Sequence, residues 1–244
     1  NNVLKSLIDL KYIKENPFEG MTVDNKKRDN RYDYFKQEQI ATMLKELIKG
    51  NKGLARTDSR YWGTLLAIYT GARRNEIASL TPEDIKEDNG IWYLNITDEE
   101  ETKRLKTSAA KRIVPIHSHL LELGFLEYVE QAKSFKPAKK HKGKKTRLLY
   151  DMTFHEKEKW GRNLGRFVNE TFLPKLNLKT DKLVLHSLRH SFITYLSIAE
   201  VEPPTIKAIV GHEQDTVTNS IYTHYGIEHL PAFKNAIEKL PYKI

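Results

Sequence analysis

The chain has 244 residues, 39% hydrophobic and 30% charged, a balance that supports a folded core and excludes wholesale disorder. It contains no cysteine, which rules out disulfides, thiol nucleophiles and thiolate metal sites, and no apolar run approaches the roughly 18–20 residues that span a bilayer. The net charge of +9, from 41 Lys and Arg against 32 Asp and Glu, makes a polyanion, nucleic acid first, the partner class to consider.

Apolar residues recur at helical spacing through "NVLKSLIDLKYIKENPF", and Asn16-Pro17 is expected to end that helix because proline disfavours a helical residue before it. The opening "NNVLKSLIDL" has neither Met nor the apolar region of a signal peptide, and reads as a cut inside a structured region of a longer protein. Residues 22–33, "TVDNKKRDNRYD", are polar and charged and read as a linker. From Tyr34, "YFKQEQIATMLKELIKG" is an amphipathic helix ended by Gly50. "RYWGTLLAIYT" and "RRNEIASL" flank Gly71 as two buried helical segments.

The middle of the chain changes character. "IWYLNI" (91–96) and "RIVPI" (112–116) are rich in β-branched and aromatic residues and predict short strands. The intervening "TDEEETKRLKTSAAK" has room for a further short strand and a turn around "KTSAA". A helix over 118–133 precedes "KPAKKHKGKKTR" (136–147), where seven of twelve residues are Lys or Arg; this is either a solvated loop or a supplementary phosphate-binding segment. Helices are expected over 156–170, 186–199, 203–210, 215–224 and 228–239. The fold class is mainly α with a small antiparallel β-sheet, and there is no internal repeat.

Four local patterns carry chemistry. In "YTGARRNEIASL", Arg73 opens a helix one turn before Glu76, either a plain helix ion pair or an anion site reinforced by the helix N-terminus. "RLKTSAAKRIVPI" puts Lys106 at a strand-to-strand turn. In "LHSLRHSF", His186 and Arg189 share a helix face, and His190 lies near it. A metal at His186 and His190 is disfavoured by the nearby guanidinium and by the lack of the glutamate that a hydrolytic zinc helix carries. "IVGHEQ" places His212 just beyond a short helix, and "IYTHYG" follows with Tyr222 and Tyr225 around His224.

Taken in order, Thr-Gly-x-Arg, a turn Lys-Thr, His-x-x-Arg, Gly-His and a following Tyr resemble the catalytic domain of the tyrosine recombinases, the phage-integrase family. The resemblance runs from about Tyr34 to about Tyr225, and "LHSLRHSFITYL", "IVGH" and "IYTHY" are its most specific parts. It implies that Arg73 and Arg189 hold a scissile phosphate, that Lys106 is the β-hairpin lysine, and that His186 and His212 are the two active-site histidines. Glu76 corresponds to the supporting acidic residue, and Tyr222 to the nucleophile. The interval from His212 to Tyr222 is ten residues, one longer than the family's usual gap. Residues 1–21 resemble the last helix of a core-binding domain that is otherwise missing, 22–33 the linker, and 34–244 the catalytic domain. Within that domain "HLPAFKNAIEKL" resembles the segment that docks on a neighbouring protomer.

The chemistry makes sense of these residue types. A free phenol, with a pKa of about 10, is a poor nucleophile at neutral pH. Guanidinium groups stabilise both the phenolate and the charge of a pentacoordinate transition state, so no metal or other cofactor is required. His186 is a reasonable base for the phenol, and Lys106 an acid for the leaving 5′-hydroxyl. A 3′-phosphotyrosyl linkage would preserve the bond energy, so strands could be exchanged without ATP. The resemblance implies site-specific recombination of double-stranded DNA by a tetramer, with accessory DNA-bending proteins as further partners, no membrane, and a cytoplasmic setting. Two other readings are a type IB topoisomerase-like nicking-closing enzyme and a catalytically silent DNA-binding regulator.

Overall fold

In a computed structural model of the chain, the described residues are 2–17, 32–97, 111–135, 146–212 and 226–242. They divide into two compact units, Asn1–Arg31 and Tyr32–Ile244. Among its described residues the first holds one helix, α1 (Asn2–Asp9), which ends well before Pro17. Lys11 turns into the left-handed region at φ 59, and the N–H groups of Lys11 and Tyr12 donate back to Ile8 O and Leu7 O, both at 2.9 Å. This closure satisfies the last carbonyls of the helix, so the stop is set by Lys11 and not by proline.

Near the start of the second unit Phe35 is pinned at 0% exposure by the Ser191 hydroxyl, which accepts from its N–H at 2.8 Å, and by the Tyr195 hydroxyl, which donates to its carbonyl at 3.1 Å. Helix α2 (Gln37–Leu47) buries Ile40, Met43, Leu44 and Leu47, the spacing of one helical face. Helix α3 (Asp58–Thr70) starts at Thr57, whose hydroxyl accepts from Arg60 N–H, and is buried continuously from Tyr61 to Thr70. A helix enclosed on all sides needs no polar stripe, which is why "YWGTLLAIYT" has none. Gly71, at φ 59, ends α3 and turns the chain into α4 (Arg74–Ser79).

Three strands follow: β1 (Ile85–Asp88), β2 (Ile91–Ile96) and β3 (Arg112–Pro115), in the order β1-β2-β3 and antiparallel throughout. The small antiparallel sheet is therefore present, with one strand the apolar patterning does not predict. "IKED" has a single buried apolar residue, Ile85, but Asn89 at φ 48 and Gly90 at φ 81 form the two-residue hairpin turn that pairs Asp88 with Ile91. Pro115 is tolerated because β3 is an edge strand. The connection 98–110, where a further strand and turn are expected, lies outside the described residues.

The helix expected over 118–133 is two helices, α5 (Ser118–Glu122) and α6 (Phe125–Ser134), separated at Gly124 with φ 87. The helix expected over 156–170 begins only at α7 (Arg162–Arg166) and passes through a π-helical segment, Phe167–Phe172, into the turn α8 (Leu173–Lys175). Ahead of it, His155 and Lys159 form an isolated bridge, with Lys159 at φ 57, so residues 156–161 are not helical. Helices α9 (Leu185–Ile198), α10 (Pro203–Val210) and α11 (Leu230–Ile237) match the spacing in the sequence. The helix expected over 215–224 lies outside the described residues.

Helix α11 buries Leu230, Phe233, Ala236 and Ile237 within this chain. Its Lys234 donates to Ile116 O at 2.7 Å, and Glu238 accepts from the Ser118 N–H at 2.8 Å and hydroxyl at 2.7 Å. Arg147, last residue of the basic run, is 4% exposed; it donates to Ser79 O at 2.8 Å and lies 4.8 Å over the Trp160 ring. It is a structural residue, neither a solvated charge nor a surface phosphate ligand. Residues 136–145 of that run lie outside the described residues. Among the described residues no helix is long and apolar enough to cross a membrane.

Candidate active site

Arg73 is the residue before the first turn of α4, with extended backbone at φ −70, ψ 149. Its N–H donates to Glu76 Oε2 at 2.7 Å and its Nη1 to Glu76 Oε1 at 2.8 Å, while Nη2 reaches Gly211 O at 3.3 Å. Glu76 therefore caps the helix and holds the guanidinium at once. A second arginine, Arg112, reaches the same carboxylate: Nη2 donates to Glu76 Oε2 at 2.8 Å and Nε to Ile209 O at 2.7 Å. Burial works to raise the Glu76 carboxyl, and Arg112 and Arg73 outweigh it, holding Glu76 at about 2. Both Glu76 and Arg112 side chains are 5% exposed, and removing one partner of such a buried pair typically costs about 3–5 kcal/mol.

Arg189, on the second turn of α9 and 4% exposed, donates Nη1 to Gly71 O at 2.6 Å and Nη2 to Val210 O at 2.7 Å. These carbonyls lie at the C-terminal ends of α3 and α10, where helix carbonyls lack internal partners and carry partial negative charge. Burial, with Arg73 and Arg112 nearby, lowers the Arg189 guanidinium to about 9, which leaves it protonated at neutral pH.

Arg73, Glu76, His186 and Arg189 line one cavity of about 420 Å³, together with Tyr32, Asn75 and Asn169. His186 sits exposed at its mouth, with its ring edge-on to Tyr32 at 5.7 Å and to His190 at 5.2 Å. Desolvation, then His190, Arg189 and Arg73, lower His186 to about 4. His212 follows Gly211, whose φ of 69 ends α10, and desolvation together with Arg189, Arg73 and Arg112 lowers it to about 4 as well. Both imidazoles are neutral at pH 7, each able to accept one proton and donate another N–H. Among the described residues the cluster sets three guanidiniums, those of Arg73, Arg112 and Arg189, around the carboxylate of Glu76.

Five of the seven residues singled out in the sequence, Arg73, Glu76, His186, Arg189 and His212, gather here from α4, α9 and the end of α10. Lys106 and Tyr222 lie outside the described residues, as do His224 and Tyr225. Two neighbours are not evident from the motifs. Tyr32 falls in the polar stretch read as a linker, with no pattern to mark it. Arg112 has a signal: it alternates with Val114 and Ile116, both 0% exposed, so it faces the core and must be paired.

The sequence model of the phage integrase family matches residues 33–229. The chain belongs to the phage integrase family. Among curated relatives, the protein "Tyrosine recombinase XerC-like" of Caldanaerobacter subterraneus subsp. tengcongensis is 26% identical over 274 residues, covering 98% of this integrase-family chain and 64% of the relative. "Tyrosine recombinase XerA" of Thermococcus kodakarensis is 25% identical over 168 residues, covering 68% of this chain and 51% of the relative. The chain thus spans 64% and 51% of the lengths of these two relatives.

Solved structures show the same fold. The Tn1549 transposon integrase in complex with a circular intermediate DNA superposes with a TM-score of 0.62 at 19% identity, over 95% of this chain and 74% of that one. The XerH site-specific recombinase bound to difH substrate, a pre-cleavage complex, gives 0.54 at 20% identity, over 83% and 53%. The integrase-family fold, mainly helical with a three-stranded antiparallel sheet, is the architecture of this chain.

Proposed function

We propose that this chain is the strand-cleaving part of a site-specific recombinase that cuts and rejoins double-stranded DNA through a 3′-phosphotyrosyl intermediate, with Tyr222 as the nucleophile. The observation that carries the reading is the convergence of Arg73, Arg189 and His186 on one cavity beside His212. Two guanidiniums held by carboxylate and backbone carbonyls, beside two neutral imidazoles, suit a bound phosphodiester and the extra charge of its transition state. They are pre-set before substrate arrives, so little reorganisation is needed at the moment of reaction.

In this reading Tyr222 Oη bonds to phosphorus as the P–O5′ bond breaks. His186 takes the phenolic proton, and Lys106 gives a proton to the departing 5′ oxygen. His212 donates a hydrogen bond to a non-bridging oxygen, and Glu76 orients Arg73. A second 5′-hydroxyl reverses the step on a new strand, so neither ATP nor a metal ion takes part. Residues 1–21 would be the last helix of a core-binding domain, 22–33 the linker and 34–244 the catalytic domain. Recombination would need a tetramer on two duplexes, helped by accessory DNA-bending proteins. The α11 segment would dock on a neighbour through its exposed side, Pro231, Ala232 and Asn235.

The test is a nicked suicide substrate that traps the covalent adduct, followed by mass mapping of the DNA-linked peptide, with EDTA present throughout. An adduct at Tyr222 supports the proposal. No adduct with cognate DNA would sink it in favour of a silent binding module. Relaxation of supercoiled DNA without paired sites would point to a topoisomerase-like nicking-closing enzyme.

A further inference from the structure

Arg112 lies at the root of the β2–β3 connection: its pairing with Ile96 is the last described rung of the ladder before residues 98–110. From there its side chain runs inward and donates to two different elements. Nη2 reaches Glu76 Oε2 in α4 at 2.8 Å, and Nε reaches Ile209 O in the last turn of α10 at 2.7 Å. Glu76 is the residue that holds Arg73, through the N–H at 2.7 Å and Nη1 at 2.8 Å. Ile209 is three residues before His212 and immediately before Val210, whose carbonyl holds Arg189 at 2.7 Å. One planar guanidinium therefore spans the base of the hairpin, the Arg73 anchor and the helix end that carries His212.

Resting on the recombinase reading, we infer that Arg112 is a positioning residue for strand cleavage, one that acts through Glu76 on Arg73 and through Ile209 on the Gly211-His212 turn. A surface arginine could not do this, because solvent would compete for both acceptors. A lysine could not replace it fully, because one ammonium at the end of a flexible stem does not reproduce two donors fixed in a plane. The carboxylate of Glu76 would otherwise swing to satisfy Arg73 alone, and α10 would lose the hydrogen bond that Arg112 of β3 gives to Ile209 O. Small misplacement is enough, since a shift of about 1 Å away from the chemistry can cost a rate factor of about 100.

The test compares wild type, Arg112→Lys, Arg112→Gln and Arg73→Ala, with and without the Arg112 changes, using the 244-residue chain on a suicide substrate. DNA affinity and single-turnover cleavage are measured separately, and circular dichroism reports folding. Arg112→Lys, which keeps the charge, serves if Arg112→Gln unfolds. The expected result is a cleavage rate about 10- to 100-fold lower with DNA affinity unchanged. In the Arg73→Ala background the Arg112 change should cost less than in wild type, because the route through Glu76 ends on Arg73 and only the route through Ile209 remains. A folded Arg112→Lys protein that cleaves like wild type, or equal losses in the two backgrounds, overturns the inference. Failure of wild type itself to cleave would overturn the recombinase reading instead.

Discussion

Arg189 Nη1 lies 2.6 Å from the carbonyl oxygen of Gly71, a bond that joins α9 to the turn at which α3 gives way to α4. Gly71 can present that carbonyl because its backbone sits at φ 59, and because it has no side chain to meet Phe192. A Cβ there would lie 2.6 Å from Phe192 Cδ1. Gly71→Ala is therefore expected to destabilise the fold by at least about 1–2 kcal/mol, the left-handed penalty before any steric cost. It should also lower single-turnover cleavage by up to about 100-fold, since Arg189 and Arg73 both move with the turn. Chemical denaturation and a cleavage time course check the two effects.

Tyr222→Phe removes one hydroxyl and should abolish the covalent protein–DNA adduct while leaving DNA binding nearly intact. Tyr225→Phe should still form the adduct. Gel-shift and denaturing gels on one suicide substrate read both outcomes. If the adduct persists in the first variant and disappears in the second, the nucleophile is Tyr225.

Lys106→Ala should slow cleavage of ordinary DNA by about 100- to 10,000-fold, the range that general acid catalysis supplies. DNA with a 5′-bridging sulfur at the scissile phosphate should recover most of the rate, since a thiolate leaves without a proton. An equal defect on both substrates would remove Lys106 from the acid role.

Stability should fall on mild acidification. Burial lowers His117, 7% exposed, to about 4. An unfolded histidine titrates near 6.5, so between about pH 6.5 and 4 the unfolded chain binds more protons than the folded one, and protonation favours unfolding. The histidine contribution is thus full above pH 6.5 and lost toward pH 4. The Glu76 contribution, with its carboxyl held at about 2, persists to lower pH and is lost only as pH drops from about 4.5 toward 2. Thermal melts from pH 8 to 4 should show a falling midpoint, with a shallower slope in His117→Gln. A flat profile would contradict the placement of His117.

DNA affinity should drop steeply with salt, because attraction to phosphates dominates it. The lysines at 136, 139, 140, 142, 144 and 145 can be replaced by glutamine as a group. If they neutralise phosphates, the slope of log affinity on log salt becomes shallower by about 0.9 for each phosphate that the variant leaves unneutralised. An unchanged slope makes the run a solvated loop. Arg147 belongs outside that group, since its replacement would unseat Ser79 and Trp160.

Local physics carried much of this protein into its sequence. The helical spacing of α2, the turn at Gly71, Arg73 one turn before Glu76, and His186 with Arg189 on one face of α9 all follow from bonds between residues a few positions apart. The family could be recognised for the same reason, because each motif is short and contiguous. Element ends were harder, since α1 stops at Lys11 and α7 starts at Arg162 by backbone choices that many sequences would permit. The "DNG" turn after β1 was legible in principle, but its strand carries too few apolar residues to be seen by patterning. What the tertiary structure alone decided is the partnership across long intervals: Arg112 with Glu76 and Ile209, Arg189 with Gly71 and Val210, and Phe35 with Ser191. An inward-facing arginine announces that it needs partners, but any carboxylate or helix end could serve. Which ones do is settled only when α3, α4, α9, α10 and the sheet pack together, because the cost of leaving a buried guanidinium unpaired is met by whatever acceptors the packing brings within reach.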